Sequence, residues 1–416
     1  MSDPISGPTS DPKLSPAPLT YRWVVLAAAT LILAIGIGGI VNGMSAFIVP
    51  MQEAWGWQRG QTSLINFAGI LGLAFGGLFF GRLSDRTGPL RPILLGVVVV
   101  SLTYVLVAFA AQLWQFYLIF LVGGFFGAGA FYVPLLALVP AWFRTGPGLA
   151  IGVVSAGQAL GQGGFPFLAS FLIGQYGIHW AFGICGAIML VTLVPLALLL
   201  RSAPQVEGAD KTRAEAIERG LPPTRTVVIW LCAAILLCCT CMSVPLMHLV
   251  PLIRDTGIAI GDAGSVIFVM LMVGVLGRVA FGKFADMIGA LNAYVIAVAW
   301  MTLLVAGFLR IDSLGGFYTY AVIYGFGYAG VMTGILASVA ALTPAAKRAS
   351  AMGFVTLFGW FGHAIGGSMG GILFDLTGDY NATFVTAALF GAANLIVVTL
   401  FRLRLRGPRQ PAGAAA

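Results

Sequence analysis

The stretch GRLSDRTG, Gly81 to Gly88, has a relative in the same chain: GKFADMIG, Gly282 to Gly289, 201 residues further on (282 − 81). Each begins with a glycine, places an acid four positions later, at Asp85 and Asp286, and closes on a second glycine, at Gly88 and Gly289. The first glycine of each copy reads as the end of a helix and the last as the residue that permits a sharp reversal. The first copy adds Arg82, Arg86 and, just beyond, Arg91. A short loop repeated at this spacing implies that a long structural unit is itself repeated, in parallel.

The surroundings of both loops say what the unit is. The chain is 59% hydrophobic and 9% charged, too little charge to solvate a globular surface of 416 residues. Apolar windows long enough to span a bilayer predict twelve helices, near 23–48, 62–80, 93–111, 116–139, 150–173, 181–200, 227–249, 264–284, 293–309, 317–342, 351–374 and 382–403. Both loops follow the second span of their half. The expected fold class is therefore all-α membrane protein, with two pseudo-symmetric six-helix bundles, 21–201 and 226–406. A polar linker, 202–225, joins them. The Pro- and Ser-rich tail 1–20 and the tail 407–416 are expected to be unstructured, and the first span is too long for a cleaved signal.

Charge sets the expected orientation. Of 22 Lys and Arg, Arg59, Arg254 and Arg310 fall in loops on one side and Arg278 within a span, leaving 18 in the tails, linker and loops of the other side. The positive-inside rule puts both termini in the cytoplasm of a multi-pass protein of the cell membrane, in a bacterial cell the inner membrane. The net charge of +8 is then accounted for by anchoring to the lipid bilayer, with no nucleic acid as partner. Four of the five cysteines lie in CAAILLCCTC, at Cys232, Cys238, Cys239 and Cys241, on an apolar helix; they read as small hydrophobes, with no metal or other cofactor implied. The chain is expected to act as a monomer and not as an enzyme, since it has no phosphate-binding loop, paired catalytic carboxylates or appended soluble domain.

Asp85 and Asp286 admit two readings. Either the loops are topogenic signals with turn glycines, or the carboxylates bond the free N–H groups at a neighbouring helix start, or an adjacent Arg, and latch the two halves on one side. Acids contribute little to orientation, which favours the latch, formed by Gly81, Asp85, Arg86, Gly88 and Asp286. The first loop resembles the signature of the major facilitator superfamily, Gly-x-Leu-x-Asp-Arg-x-Gly, carried in full by Gly81, Leu83, Asp85, Arg86 and Gly88; the second departs at Phe284 and Met287. The resemblance covers about 21–406 and implies a central site opened alternately to each side.

Inside the spans, ionisable groups are scarce and therefore informative. All fourteen acids lie in tails, loops or span ends, and Arg278, in VGVLGRVAFGKFAD, is the one clear charge within a span. It either snorkels to the interface or waits for an anionic cargo; the matching position in the first half is Gly77, so the loop does not require an arginine. Tyr320, Tyr324 and Tyr328 share a helix face, to be read as packing or as a cavity stripe. Gln158 and Gln162, one turn apart, and Asn42 bond between helices or line the cavity. His248 and His363 are the proton-coupling candidates. Within the superfamily, HLVPLIRDTGI (His248 to Ile258), Arg278 thirty residues after His248, and AWFRTGPGLAIGVVSAGQALG (Ala141 to Gly161) resemble the monocarboxylate transporters and their bacterial relatives. That resemblance implies a substrate carboxylate on Arg278 and favours His248 as proton carrier. Animal members have an aspartate one turn before the arginine, where this chain has Gly274, so a proton relay through an Asp–Arg pair is not carried over.

The expected cargo is thus a small monocarboxylate of the lactate or pyruvate type, moved with a proton, bound by Arg278, Tyr328, Tyr324, Gln158 and Asn42. An oxalate/formate-type anion exchanger is the rival, disfavoured because a dianion calls for a second buried cation; a ligand sensor on a transporter fold is a more distant one. The topology is open to direct test. Single cysteines placed at 205–217 should resist a membrane-impermeant reagent applied outside intact cells, and rapid labelling there would reverse the orientation.

Overall fold

A computed structural model describes residues 19–143, 145–204, 218 and 220–406, and over that range the chain is almost wholly helical. The first half runs α1 (Arg22–Trp55), α2 (Arg59–Thr87), α3 (Leu90–Val107) and α4 (Leu113–Trp142), followed by the continuous stretch Pro147–Leu198. Gly177 breaks that stretch into α5 (147–176) and α6 (178–198). The second half runs α7 (Thr224–Asp255), α8 (Ile260–Ile288), α9 (Ala290–Arg310), α10 (Leu314–Leu342), α11 (Arg348–Thr377) and α12 (Asn381–Arg406). The expected tails and most of the expected linker fall outside the described residues.

Among the described residues ten helices are long and apolar enough to cross a membrane, Pro147–Leu198 counting as one, so its two segments bring the number to eleven. The expected span at 351–374 forms α11, a helix of 30 residues, but it is not one of the ten: its glycines and His363 dilute its hydropathy.

The packing repeats with the sequence. α1 packs on α5, α2 on α4 and α3 on α6; six helices later α7 packs on α11, α8 on α10 and α9 on α12. The halves meet where α5 crosses α8 and where α2 crosses α11, two crossings that the same six-helix shift interchanges.

These crossings explain the doubled loop and correct one reading of it. Gly81 and Gly282 do not end their helices, which run on to Thr87 and Ile288. They allow backbones to touch: a Cβ on Gly81 would lie 2.6 Å from the Ala349 carbonyl oxygen, and one on Gly282 would lie 2.5 Å from that of Gly148. Small residues at a membrane helix crossing serve this purpose. The reversals belong to Gly88 and Gly289, whose φ values of 85° and 90° lie where a side chain is disfavoured.

One turn past each crossing glycine the acid meets the partner helix. The Asp85 carboxylate accepts from the backbone N–H groups of Ala349 (3.1 Å) and Ser350 (2.8 Å), at the start of α11, and from the Ser350 hydroxyl. Asp286 accepts from Gly148 (2.7 Å) and Leu149 (2.9 Å), at the start of α5. A helix start offers N–H groups without intrahelical partners and the positive end of its dipole, so a carboxylate is the natural counterpart. With its oxygens engaged on α11, Asp85 does not take the adjacent Arg86, which is exposed. Arg82 instead lies over the Phe354 ring of α11, 4.6 Å from its centroid. Both seams lie on the face that carries the start of α1 and the end of α12.

Charge-assisted hydrogen bonds contribute about 1.5–3 kcal/mol. Asp85→Asn or Asp286→Asn should therefore shift the balance toward opening at the termini face by roughly ten- to a hundredfold, read as faster modification of a cysteine placed in the central cavity from that side. Unchanged accessibility and unchanged transport kinetics in both variants would reduce the loops to topological signals.

Candidate functional site

Beyond the seams the halves part around a cavity of about 340 Å³. Its floor is the α5–α8 crossing, and its walls come from α1, α2, α4 and α5 on one side and α7, α8, α10 and α11 on the other.

The sequence shapes this space locally. In α1 the run GGIVN, Gly38–Asn42, is wound wider than an α-helix, and Gly43–Phe47 more tightly. Gly38 is pressed on α5, where a Cβ would lie 2.4 Å from the Gly161 carbonyl oxygen, and the Gly39 carbonyl accepts from Tyr104 at 2.8 Å. Local departures from α geometry of this kind occur where a helix is adapted to a site. Here the change of winding falls at Asn42, which lines the cavity.

Arg278 sits on α8, buried, and lines the cavity; it does not reach back to the interface. One terminal nitrogen donates to the Ser155 carbonyl of α5 at 2.9 Å, across the line between the halves. The Ser155 hydroxyl is 3.0 Å from that of Thr333 on α10, a second bond across the same line. The phenols of Tyr328 and Tyr132 line the same cavity. No Asp or Glu lines the cavity among the described residues. Gly274, one turn before Arg278, packs against α10: a Cβ there would lie 3.1 Å from that of Ala329 and 3.5 Å from the Tyr328 ring.

Of the other expected residues, Tyr328, Gln158, Gln162, Asn42 and His363 all line the cavity. Three do not. Tyr324 stacks behind Tyr328 with ring centroids 5.4 Å apart, wholly buried, its hydroxyl without a hydrogen-bond partner. Tyr320 turns to α9 and donates to the Leu304 carbonyl at 2.7 Å. The stripe therefore faces the neighbouring helix and yields only its innermost phenol to the cavity. His248 is also outside: its Nε2 is 2.9 Å from the Gly367 carbonyl oxygen and its ring lies against Tyr380, which makes it part of the α7–α11 contact. His363, by contrast, lines the cavity.

Three polar residues of the cavity, Tyr132, Asn66 and Thr356, escaped the reading of the sequence. Tyr132 on α4 donates to the Gln158 side chain at 3.3 Å. Asn66 on α2 also lines the cavity, while its Oδ1 is buried in the protein without a partner. Asn66 carried the same signal as Asn42, a lone carboxamide in an apolar span. Cys239 reaches the cavity wall, the remaining cysteines are buried and free, and no cluster suited to a metal occurs among the described residues.

Comparison with known proteins agrees with this architecture. The chain is 28% identical over 391 residues to monocarboxylate transporter 13 of Bos taurus, covering 91% of this chain and 89% of that one. It is 24% identical over 405 residues to the MFS-type transporter pynF of Aspergillus niger, covering 94% and 90%. In solved structures the same fold is found in the proton:xylose symporter XylE (TM-score 0.70, 13% identity, 92% of this chain and 96% of that one). It is found again in FucP in its outward conformation (TM-score 0.68, 15% identity, 94% and 100%). The sequence profile described as Major Facilitator Superfamily matches residues 26–316 and 229–416. The chain belongs to the Major Facilitator Superfamily, whose members are transporters.

Proposed function

We propose that this protein is a secondary transporter for a small monocarboxylate, its head group that of lactate or pyruvate, moved with a proton by alternating access. The observation that carries the reading is Arg278, a cation in a membrane-embedded cavity that no acid lines among the described residues. A charge so placed is costly until a counter-charge meets it, and the cargo is the available one. The guanidinium spends one terminal nitrogen on Ser155, and its other donors can hold a carboxylate. One cation suits one negative charge, and the relative named as a monocarboxylate transporter points the same way. An oxalate-type exchanger would call for a second cavity cation, and no other Lys or Arg lines the cavity among the described residues.

In this cycle, with the termini in the cytoplasm, the arrangement closed by Asp85 and Asp286 is the one that receives cargo from outside. The carboxylate neutralises Arg278. His363, on the same cavity, takes the proton, since an imidazole can carry one and becomes easier to protonate beside a bound anion. Cargo and proton together add no net charge, so the loaded carrier has the same net charge as the empty one; the halves rock, the two seams open and the cargo leaves on the termini side.

Two measurements test this. Arg278→Gln should weaken carboxylate binding by thirtyfold or more, since breaking a buried charge pair costs about 2–5 kcal/mol, and Arg278→Lys should lose much of it with the bidentate geometry; near-normal affinity in Arg278→Gln contradicts the site. His363→Gln in proteoliposomes should keep exchange of labelled for unlabelled substrate while losing uptake driven by an imposed pH difference. Accumulation of substrate by that variant against its gradient would rule His363 out as the carrier.

A further inference from the structure

The two halves line the cavity with different chemistry. The first half contributes four carboxamides, Asn42, Asn66, Gln158 and Gln162. The second contributes, around Arg278, an apolar wall of Met242 and Met247 on α7, Leu271 on α8, Met332 on α10 and Trp360 on α11. A three-carbon acid bound to Arg278 would touch little of this wall, and a cavity of about 340 Å³ falls in the range of about 300–1,000 Å³ that pockets for larger organic ligands occupy. Water filling the remainder would stand against methionine and indole surface, a poor use of space that an apolar ligand reverses. Methionine adapts its shape and contacts aromatic rings favourably through sulfur, and Trp360 offers a rigid flat face.

We infer that the preferred cargo is an amphipathic monocarboxylate with an aromatic or branched apolar body. Its carboxylate lies on Arg278 and its body against the Met332–Trp360 side of the cavity. The first-half carboxamides, which both donate and accept, face its polar edge. This rests on the monocarboxylate reading and adds what the cargo carries beyond its head group. It also places selectivity in the second half, on residues that do not touch the carboxylate.

The matched pair pyruvate and phenylpyruvate isolates the body, because both present the same 2-oxo carboxylate. In proteoliposomes with the intact chain and an imposed pH difference, phenylpyruvate should half-saturate uptake at a concentration at least about tenfold below that of pyruvate, the scale on which added apolar groups act in a fitted pocket. Trp360→Ala and, independently, Met332→Gln should each shrink that ratio by about fivefold or more. Equal or better half-saturation by pyruvate, or a ratio unmoved in both variants, overturns the inference and leaves Arg278 as a carboxylate site. Phenylacetamide competing as well as phenylacetate removes the need for a negative charge and overturns the monocarboxylate reading with it.

Discussion

The crossing of α5 and α8 is the contact on which the rest of the molecule depends. Within residues 148–155 and 278–286 the backbones touch at Gly148 and Gly282, Asp286 fastens the start of α5, and a Cβ on Gly152 would lie 2.5 Å from the Arg278 carbonyl oxygen. Arg278 then reaches across to Ser155. Asp286 and Arg278 thus lie about two turns apart on one helix. Movement at the seam necessarily moves the guanidinium, and whatever neutralises the guanidinium acts on a bond that spans the seam. The mate of this crossing, α2 with α11, repeats the glycine contact and the carboxylate at a helix start. It has Gly77 where the other has Arg278. The glycine contact and the carboxylate repeat between the halves, and the arginine does not.

Electrostatics turns this geometry into a cycle. An uncompensated cation in a low-dielectric cavity is unfavourable, and its cost falls when a carboxylate joins it. On this account a carboxylate and a proton bound together add no net charge, so the loaded carrier crosses the membrane field with the same net charge as the empty one, in which Arg278 rests on the Ser155 carbonyl. Coupling then needs no buried acid: the cargo is the acid, and His363 is the imidazole in the cavity that can take up the proton beside it.

Much of this was legible in the sequence because it depends on periodicity and charge. The repeat, the apolar spans, the isolation of Arg278 and the odd placement of Asp85 and Asp286 all follow from spacing alone. What was lost depends on which neighbour a face meets. Tyr320, Tyr324 and Tyr328 do share a face, yet spacing does not say that α9 and a buried stack occupy most of it. Gly81 and Gly282 have the composition of a helix end, but their function is to let a second backbone approach, which only the partner helix reveals. His248 and His363 look alike as lone histidines in apolar spans; a carbonyl at Gly367 claims one and open space receives the other. Asn66 and the methionine wall became significant only once the cavity had an inside.

The central claim is that Arg278 holds the cargo's carboxylate inside the cavity between the halves. An experimental structure with 4-bromophenylacetate bound tests it most directly, since the bromine scatters anomalously and fixes the orientation of the ligand. The account predicts the carboxylate within hydrogen-bond distance of the Arg278 guanidinium and the bromine on the side of Met332 and Trp360. An anion bound elsewhere, with Arg278 still donating only to the Ser155 carbonyl, would contradict it.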